Sequence, residues 1–288
     1  VSKELPIVTG YAQCREGLMK AYDRGYSEVT FARIAALTGA REAIIHKEFH
    51  LSSADPKIVG EDKVVRIGRT NFDVADQLSN LGMEAIHPSA AKWLRRAEIP
   101  LRVTNAFDPG SPGTLIDSGE GQEDRVEMVT GINLYAVELF EQDMVGVKGY
   151  DAKFLEVLTR NDLRIVTKTS NANTIVHYVD APLAKIRRAE NQLLEACPNS
   201  EVSIHKIAVV AAVGSKIAGS KIMLDGLKAL DAAGIEDISA QAARRDVEVT
   251  FLVPQDKRDE AIRILHAELV ENAAVPAGQP QTATLTAA

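Results

Sequence analysis

Charged side chains follow a predicted strand and open a predicted helix within the first sixty residues. The strand-like pair Ile44-Ile45 leads into a polar loop that closes on Asp55-Pro56-Lys57. Upstream, the stretch Arg24-Gly25-Tyr26-Ser27-Glu28 opens a helix predicted for residues 27–38. Because strand ends and helix starts are where α/β sheets hold phosphates and small acids, this pattern predicts an anion-binding site. An ordinary strand-to-loop connection with an exposed lysine explains the same pattern equally well.

The elements around this region alternate in type. Strands are predicted at 43–46, 101–104 and 114–116, and helices at 71–81 and from His87-Pro88-Ser89 onward. Such alternation predicts an α/β fold with a largely parallel, buried sheet. In the last of these helices, Ala90, Trp93, Leu94 and Ala97 are expected to form one buried face.

Composition excludes several classes of protein. The 288 residues carry a net charge of -7 and are 45% hydrophobic, which is enough chain for two or more domains and argues against a general nucleic-acid binder. Cys14 and Cys197 lie far apart, so neither a disulfide framework nor a zinc site is expected, and a reducing cytoplasm fits best. No apolar run approaches the ~20 residues of a membrane span.

After residue 117 the pattern of elements changes. An acidic linker is predicted at 118–128, followed by a β-α-β-β-α unit that occurs twice, with Val202–Lys206 and Ile207–Val213 as separate strands and 235–240 as a later one. Such units predict two ferredoxin-like domains, at 129–201 and 202–270. The remaining 271–288 lack periodicity and are expected to be disordered. Two packed domains without a ligand are an equally simple explanation.

Five short segments occur in an order that resembles the aspartate kinases. They are Thr9-Gly10-Tyr11, Asp23-Arg24-Gly25-Tyr26-Ser27-Glu28, Ser53-Ala54-Asp55-Pro56-Lys57, Leu81-Gly82-Met83-Glu84-Ala85-Ile86-His87-Pro88, and the pair Asn105-Ala106-Phe107 with Gly113-Thr114-Leu115-Ile116. The resemblance implies the C-terminal part of a parallel-sheet amino-acid-kinase domain at 1–117, followed by two ACT-type (βαββαβ) regulatory domains. The residues of these segments are most similar to those of the aspartate kinases associated with ectoine biosynthesis.

The family resemblance implies phosphorylation of the L-aspartate side-chain carboxylate by MgATP, which gives 4-phospho-L-aspartate. Arg24 would pair with an aspartate carboxylate, Ser27 would donate to it, and Glu28 would attract the substrate ammonium. An exposed ion pair for Arg24 and a plain helix-start carboxylate for Glu28 are the alternatives. The implied nucleotide-binding residues are His46, Lys47, Ser52, Asp55, Lys57 and Glu84.

Glu84 departs from the family, which has a phosphate-contacting lysine at that place. A carboxylate there would repel phosphates, so either Mg²⁺ bridges it, or it points away, or Lys47 and Lys57 compensate; we favour compensation. The family's segment with the catalytic lysine is expected upstream of Val1, so the chain by itself is predicted to be inactive. A non-catalytic regulatory and dimerisation module is the alternative function.

The loop from Gln142 to Asp151 resembles the effector loop of lysine-sensitive aspartate kinases. The resemblance implies that Asp143, Met144, Gly146, Tyr150, Asp151 and Val166 contact an amino-acid effector. Val166 stands where those relatives have an acid for the effector's ammonium, so lysine is expected to bind poorly. A turn that contacts a second copy explains the loop equally well, and the resemblance implies a homodimer through the ACT-type domains.

Overall fold

The computed structural model describes residues 7–8, 25–83, 85–120, 125–242 and 244–272. It confirms the predicted fold class: a mixed α/β part comes first, and an antiparallel sheet with helices follows. Arg24, Glu84, Cys14 and most of the predicted disordered tail lie outside the described residues. In the described part, no helix is both long and apolar enough to span a membrane.

The first part contains a four-stranded sheet in the order β1-β3-β4-β2. Its elements are α1 (Tyr26–Thr38), β1 (Ala43–Lys47), α2 (Pro56–Val59), β2 (Arg69–Asn71), α3 (Phe72–Asn80), α4 (Pro88–Arg96), β3 (Leu101–Asn105) and β4 (Thr114–Asp117). The pairs β1/β3 and β2/β4 are parallel, but β3 and β4 are antiparallel. Two of the three pairs are thus parallel, as expected of a largely parallel sheet, and the antiparallel pair is the one whose strands follow each other without an intervening helix.

Local signals explain the helix ends, with two corrections. Helix α1 stops at Gly39, whose φ of 62° is left-handed, as a helix-terminating glycine requires. Its N-cap is Gly25, without a side-chain cap bond, so the helix begins before Ser27, the predicted first residue, which lies exposed in the first turn. Trp93 is 40% exposed and lies outside the buried face of α4, where Arg33 covers its ring at 5.3 Å.

The second part is a six-stranded sheet in the order β6-β7-β5-β8-β10-β9. Its elements are β5 (Arg125–Phe140), α5 (Tyr150–Arg160), β6 (Arg164–Ser170), β7 (Thr174–Asp180), α6 (Leu183–Ala196), β8 (Glu201–Ser215), α7 (Gly219–Ala232), β9 (Ser239–Ala242), β10 (Glu248–Pro254) and α8 (Arg258–His266). The two strands predicted around 202–213 are one continuous strand, β8, because β5 pairs along its whole length. Strand β5 begins inside the predicted linker, and β9 begins later than predicted.

Strands β5 and β8 join two halves of this sheet. The second half of β5 pairs with β7, whereas the second half of β8 pairs with β10. Accordingly, two cores form under the helices: one is centred on Phe154, Leu158 and Ile186, and the other on Phe251 and Leu265. The division at 201/202 stays a prediction.

Helix α3 packs on the sheet face opposite helices α5–α8. Leu78 shares a core with Val209 and Leu252 of the sheet. The side chain of Gln241 on β9 donates to Thr167 on β6 at 2.7 Å. Because β6 and β9 are opposite edges of the sheet, this bond shows that the sheet curves around α3.

Candidate functional site

A carboxylate joins the start of α1, the end of β1 and the start of α4. Glu28 Oε1 accepts a hydrogen bond from Lys47 Nζ at 2.8 Å, and Glu28 Oε2 accepts one from the backbone N–H of His87. Both side chains of the ion pair are 21% exposed. His87 is the N-cap of α4, and its Nδ1 accepts from the backbone N–H of Ser89 at 3.1 Å. The structure therefore brings together two predicted site residues, Glu28 and Lys47, at helix and strand ends.

Gly25 is required by the close approach of His87. A Cβ at position 25 would lie 2.1 Å from His87 Cδ2 and 2.9 Å from His87 Cβ, distances that real side chains do not tolerate. The glycine of the Arg24-Gly25 pair thus lets α4 approach α1 closely enough for the contact between Glu28 and His87. From the sequence, His87 was predicted to begin a helix, but it was not among the predicted site residues.

The end of β1 is also tied to its parallel neighbour β3. His46 Nδ1 lies 2.8 Å from Thr104 Oγ1 on β3. Just beyond, Asp108 Oδ2 lies 3.1 Å both from His50 Nε2 and from Arg66 Nη1. The group of His50, Asp108 and Arg66 was not predicted from the sequence, because these residues are distant in the chain and each alone is typical of a solvated surface.

The loop predicted to bind nucleotide has a local structure of its own. The hydroxyl of Ser52 is buried and donates to Ala54 O at 2.9 Å. Asp55 caps the short helix α2 by accepting from the backbone N–H of Lys57 at 2.9 Å, while the Lys57 side chain is exposed. With Arg24 and Glu84 outside the described residues, convergence of Arg24 and Lys57 on one site stays a prediction.

Ser53 connects this loop to the second part of the chain, which contains the six-stranded sheet. Its Oγ lies 2.8 Å from His266 Nε2 and accepts from the backbone N–H of Val65 at 2.9 Å. Its carbonyl accepts from the backbone N–H of Val129 on β5 at 2.8 Å. Both Ser53 and His266 are almost fully buried, and the other ring nitrogen of His266 lies 3.0 Å from Glu271 Oε1. The loop is thus held by the second part of the chain.

A cavity of about 610 Å³ lies between the two parts. The first part lines it with Phe49, Leu51 and the Gly82-Met83 turn, and the sheet contributes Met128 and the ion pair Arg164–Asp180. This size and mostly apolar lining are typical of small-molecule sites. The cavity adjoins both the predicted nucleotide loop and the segment that contains Glu84.

The predicted effector loop is shaped by two glycines with positive φ, Gly146 and Gly149. Within it Met144 is buried, Asp143 is exposed and Tyr150 opens α5. Asp151, in the first turn of α5, pairs with Lys168 of β6 at 2.8 Å.

Val166 does not face this loop. It packs in the core around α3, and its carbonyl accepts from Asn80 Nδ2 at 3.1 Å. The bulge between Ile165 and Thr167 turns it to that side. The residue of β6 that reaches the start of α5 is Lys168, which corrects the expectation for Val166.

His177 lies beneath the same loop. It is fully buried, its ring meets Phe154 edge-on at 4.5 Å, and its Nε2 is 3.7 Å from Asp151 Oδ1. Among the described residues neither ring nitrogen has a hydrogen-bond partner. Burial lowers the pKa of His177 to about 4, opposed by the nearby Asp151 and assisted by Lys168.

Comparison with known proteins agrees with this architecture. Residues 2–105 match the model of the amino acid kinase family. The chain is 50% identical over 272 residues to the aspartate kinase Ask_Ect of Stutzerimonas stutzeri (strain A1501), an alignment that covers 94% of this chain and 57% of that protein.

Three solved structures, of two proteins, have a similar fold. Aspartate kinase of Clostridium acetobutylicum has a TM-score of 0.76 at 22% identity, over 84% of this chain and 57% of that one. Aspartokinase III of E. coli in complex with aspartate and ADP has a TM-score of 0.71 at 20% identity, and the match covers 85% of this chain and 56% of that one. The complex of the same protein with lysine and aspartate has a TM-score of 0.70 at 20% identity, and the match covers 86% of this chain and 56% of that one. The chain thus spans little more than half the length of these proteins, and it is similar to an aspartate kinase along 94% of its own length.

Proposed function

We propose that this chain forms part of an aspartate kinase that transfers the γ-phosphoryl group of ATP to the side-chain carboxylate of L-aspartate. The observation that carries the proposal is the junction of Glu28, Lys47 and His87, which gathers a carboxylate, an ammonium and a helix N-terminus at the end of β1. Support comes from the S. stutzeri relative, which is named an aspartate kinase, and from the aspartate and ADP bound to the E. coli protein.

Phosphoryl transfer depends on positioning and on charge neutralisation more than on covalent help from the protein. The Lys47 ammonium has three N–H donors, and Glu28 accepts from one of them. Lys47 therefore keeps donors for a phosphate oxygen while Glu28 holds its position. This arrangement favours Lys47 as the cation that compensates for Glu84. Ser52 and Asp55 would then shape the loop through their local bonds.

Mg²⁺ is proposed to arrive with ATP. Among the described residues no group of three or more His, Cys, Asp or Glu side chains could hold a metal ion. Magnesium bound to a nucleotide needs only one or two protein carboxylates, because phosphates and water fill its remaining positions. The donor set is therefore compatible with a nucleotide-borne ion, which would neutralise phosphate charge during transfer.

The activity can be tested in a chimera that places the preceding region of the S. stutzeri relative before Val1. Acyl phosphate is trapped with hydroxylamine as the hydroxamate. We expect product that requires both ATP and L-aspartate, with much less from L-glutamate or D-aspartate. A folded chimera that forms no aspartyl hydroxamate would contradict the proposal. The 288-residue chain alone is expected to form none.

The regulatory sheet supports a second candidate, a module that binds an effector and pairs with a second copy. Val145 and Val147 of the effector loop are 60% and 56% exposed, as expected of residues at a contact between copies. Lysine should bind poorly, because the Lys168 ammonium already pairs with Asp151 at the start of α5.

Two measurements on the chain test this module. Light scattering should give a dimer that Val145→Asp with Val147→Asp converts to monomer, while Leu224→Asp, at an exposed position on α7, leaves it unchanged. Calorimetric titration should show no micromolar lysine binding. A monomeric wild-type chain would contradict the proposed pairing of two copies, and micromolar affinity for lysine would contradict the expectation that lysine binds poorly.

A further inference from the structure

A polar cavity of about 430 Å³ lies where α3 meets the two edges of the curved sheet. Its polar lining includes Gln77 and Asn80 from α3, Thr167 from β6, Gln241 from β9, and Glu248 and Thr250 from β10. None of these residues lines the cavity beside the nucleotide loop. The space is therefore distinct from that cavity, although its lining also includes Val166, one of the predicted effector-binding residues.

Strand alternation places Glu248 in this cavity. Val249, Phe251 and Val253 of β10 are buried beneath α7 and α8, so Glu248 and Thr250 project to the opposite face, towards α3. Within the described part of the chain, Glu248 has neither a hydrogen bond nor an ion pair. Burial raises its pKa to about 7. A desolvated carboxyl without a partner is costly, and in a cleft it is typical of functional sites.

The rest of the lining is neutral except for Lys168. Gln241 Nε2 donates to Thr167 Oγ1 at 2.7 Å, and Thr250 Oγ1 donates to Gln241 O at 3.4 Å. Lys168 also borders the cavity, but its ammonium pairs with Asp151 at 2.8 Å. The cavity thus offers one carboxyl among amides and hydroxyls, a lining that complements a single positive charge joined to a neutral polar group.

We propose that this cavity binds a small aliphatic primary amine that carries a neutral hydrogen-bonding group. The ammonium of the ligand donates hydrogen bonds to the Glu248 carboxylate. These charge-assisted hydrogen bonds replace the hydration that the carboxylate loses on burial. The neutral group meets the side-chain amides of Gln77 and Asn80. The lining comes from α3 and from both edges of the six-stranded sheet. A ligand in the cavity therefore contacts the first part of the chain and both halves of that sheet at once.

The test uses calorimetric titration of the 288-residue chain with 4-amino-1-butanol, and with 1,4-butanediol as the uncharged analogue. We expect the amine to bind and the diol to bind at least tenfold more weakly. From pH 6 to pH 8 the affinity should rise about tenfold, because the carboxyl ionises through its pKa while the amine stays protonated. Lys168, which pairs with Asp151, is the other charged group that lines the cavity.

Glu248→Gln removes the charge while keeping the shape, and should weaken amine binding at least tenfold and remove its pH dependence. Glu201→Gln, at the exposed start of β8, is the matched control and should bind like wild type. Gln77→Leu, which removes an amide without touching the carboxyl, should weaken amine binding and keep the pH dependence. Absent binding in the wild type, equal binding of the diol, or unchanged binding in Glu248→Gln would each overturn the proposal.

Discussion

The two parts of the molecule treat their ionisable groups differently. At the end of β1, Glu28 is paired with Lys47 and with a backbone N–H, and Asp108 contacts the His50 ring and the Arg66 guanidinium. In the six-stranded sheet, burial desolvates both His177 and Glu248, and neither ring nitrogen of His177 has a hydrogen bond within the described residues. Burial shifts their pKa values in opposite directions, because it disfavours the charged form of each.

This difference indicates a division of labour. Paired groups at strand and helix ends have their positions fixed before a ligand arrives, which favours accurate placement of reacting atoms. A buried ionisable group without a partner carries an unfavourable desolvation free energy, which a change of protonation or a bound ligand can reduce. Such groups therefore make the stability of the fold sensitive to pH and to ligands. Ser53 and His266 connect the two regions directly.

The largest expected effect concerns His177. Its pKa is depressed to about 4 in the folded state, so the unfolded chain binds more protons between the ordinary histidine value and 4. Stability should therefore fall by up to about 3 kcal/mol as pH decreases from 6.5 to 4. His177→Leu should remove much of this loss in pH-dependent denaturant unfolding, whereas the exposed His205 offers a control as His205→Leu. Identical acid profiles for wild type and His177→Leu would show that His177 does not set the response.

Gly25→Ala should destabilise the paired junction. The added methyl group would overlap His87, and overpacking of this kind costs about 1–3 kcal/mol. Gly68→Ala is the matched control, because nothing lies within 4 Å of the new Cβ. Thermal unfolding should show a lower Tm for the first variant alone, and equal values for both would contradict the close packing of α1 against α4.

Ser53→Ala should loosen the connection between the parts. It leaves His266 Nε2 buried without its partner, at a cost of about 1–3 kcal/mol. Ser52→Ala is the matched control, because the Ser52 hydroxyl bonds only within its own loop. Hydrogen exchange should accelerate at Val65 and Val129 in the first variant. Unchanged protection there would argue against a connection through Ser53.

Local sequence signals predicted the elements better than their partners. The helix predicted at 27–38 and the helix predicted from His87 onward are confirmed as α1 and α4. Residues 202–206 and 207–213 were predicted as separate strands, yet the pairing of β8 with β5 continues through both, because tertiary pairing overrides local preference.

The site was only partly predictable for a similar reason. Glu28 and Lys47 stand out by residue type beside a strand end and a helix start. The contact between Ser53 and His266 joins residues 213 positions apart, and no local sequence pattern indicates this contact. Glu248 resembled an ordinary strand residue, because only the curvature of the sheet places it in a cavity.

The most direct test of the proposed reaction site is the ATP dependence of aspartyl hydroxamate formation in the chimera with Lys47→Ala. If Lys47 joins the carboxylate of Glu28 to the nucleotide phosphates, KM for ATP should rise severalfold, while Lys92→Ala, at an exposed position on α4, should leave it unchanged. An unchanged KM for ATP in Lys47→Ala would contradict the account.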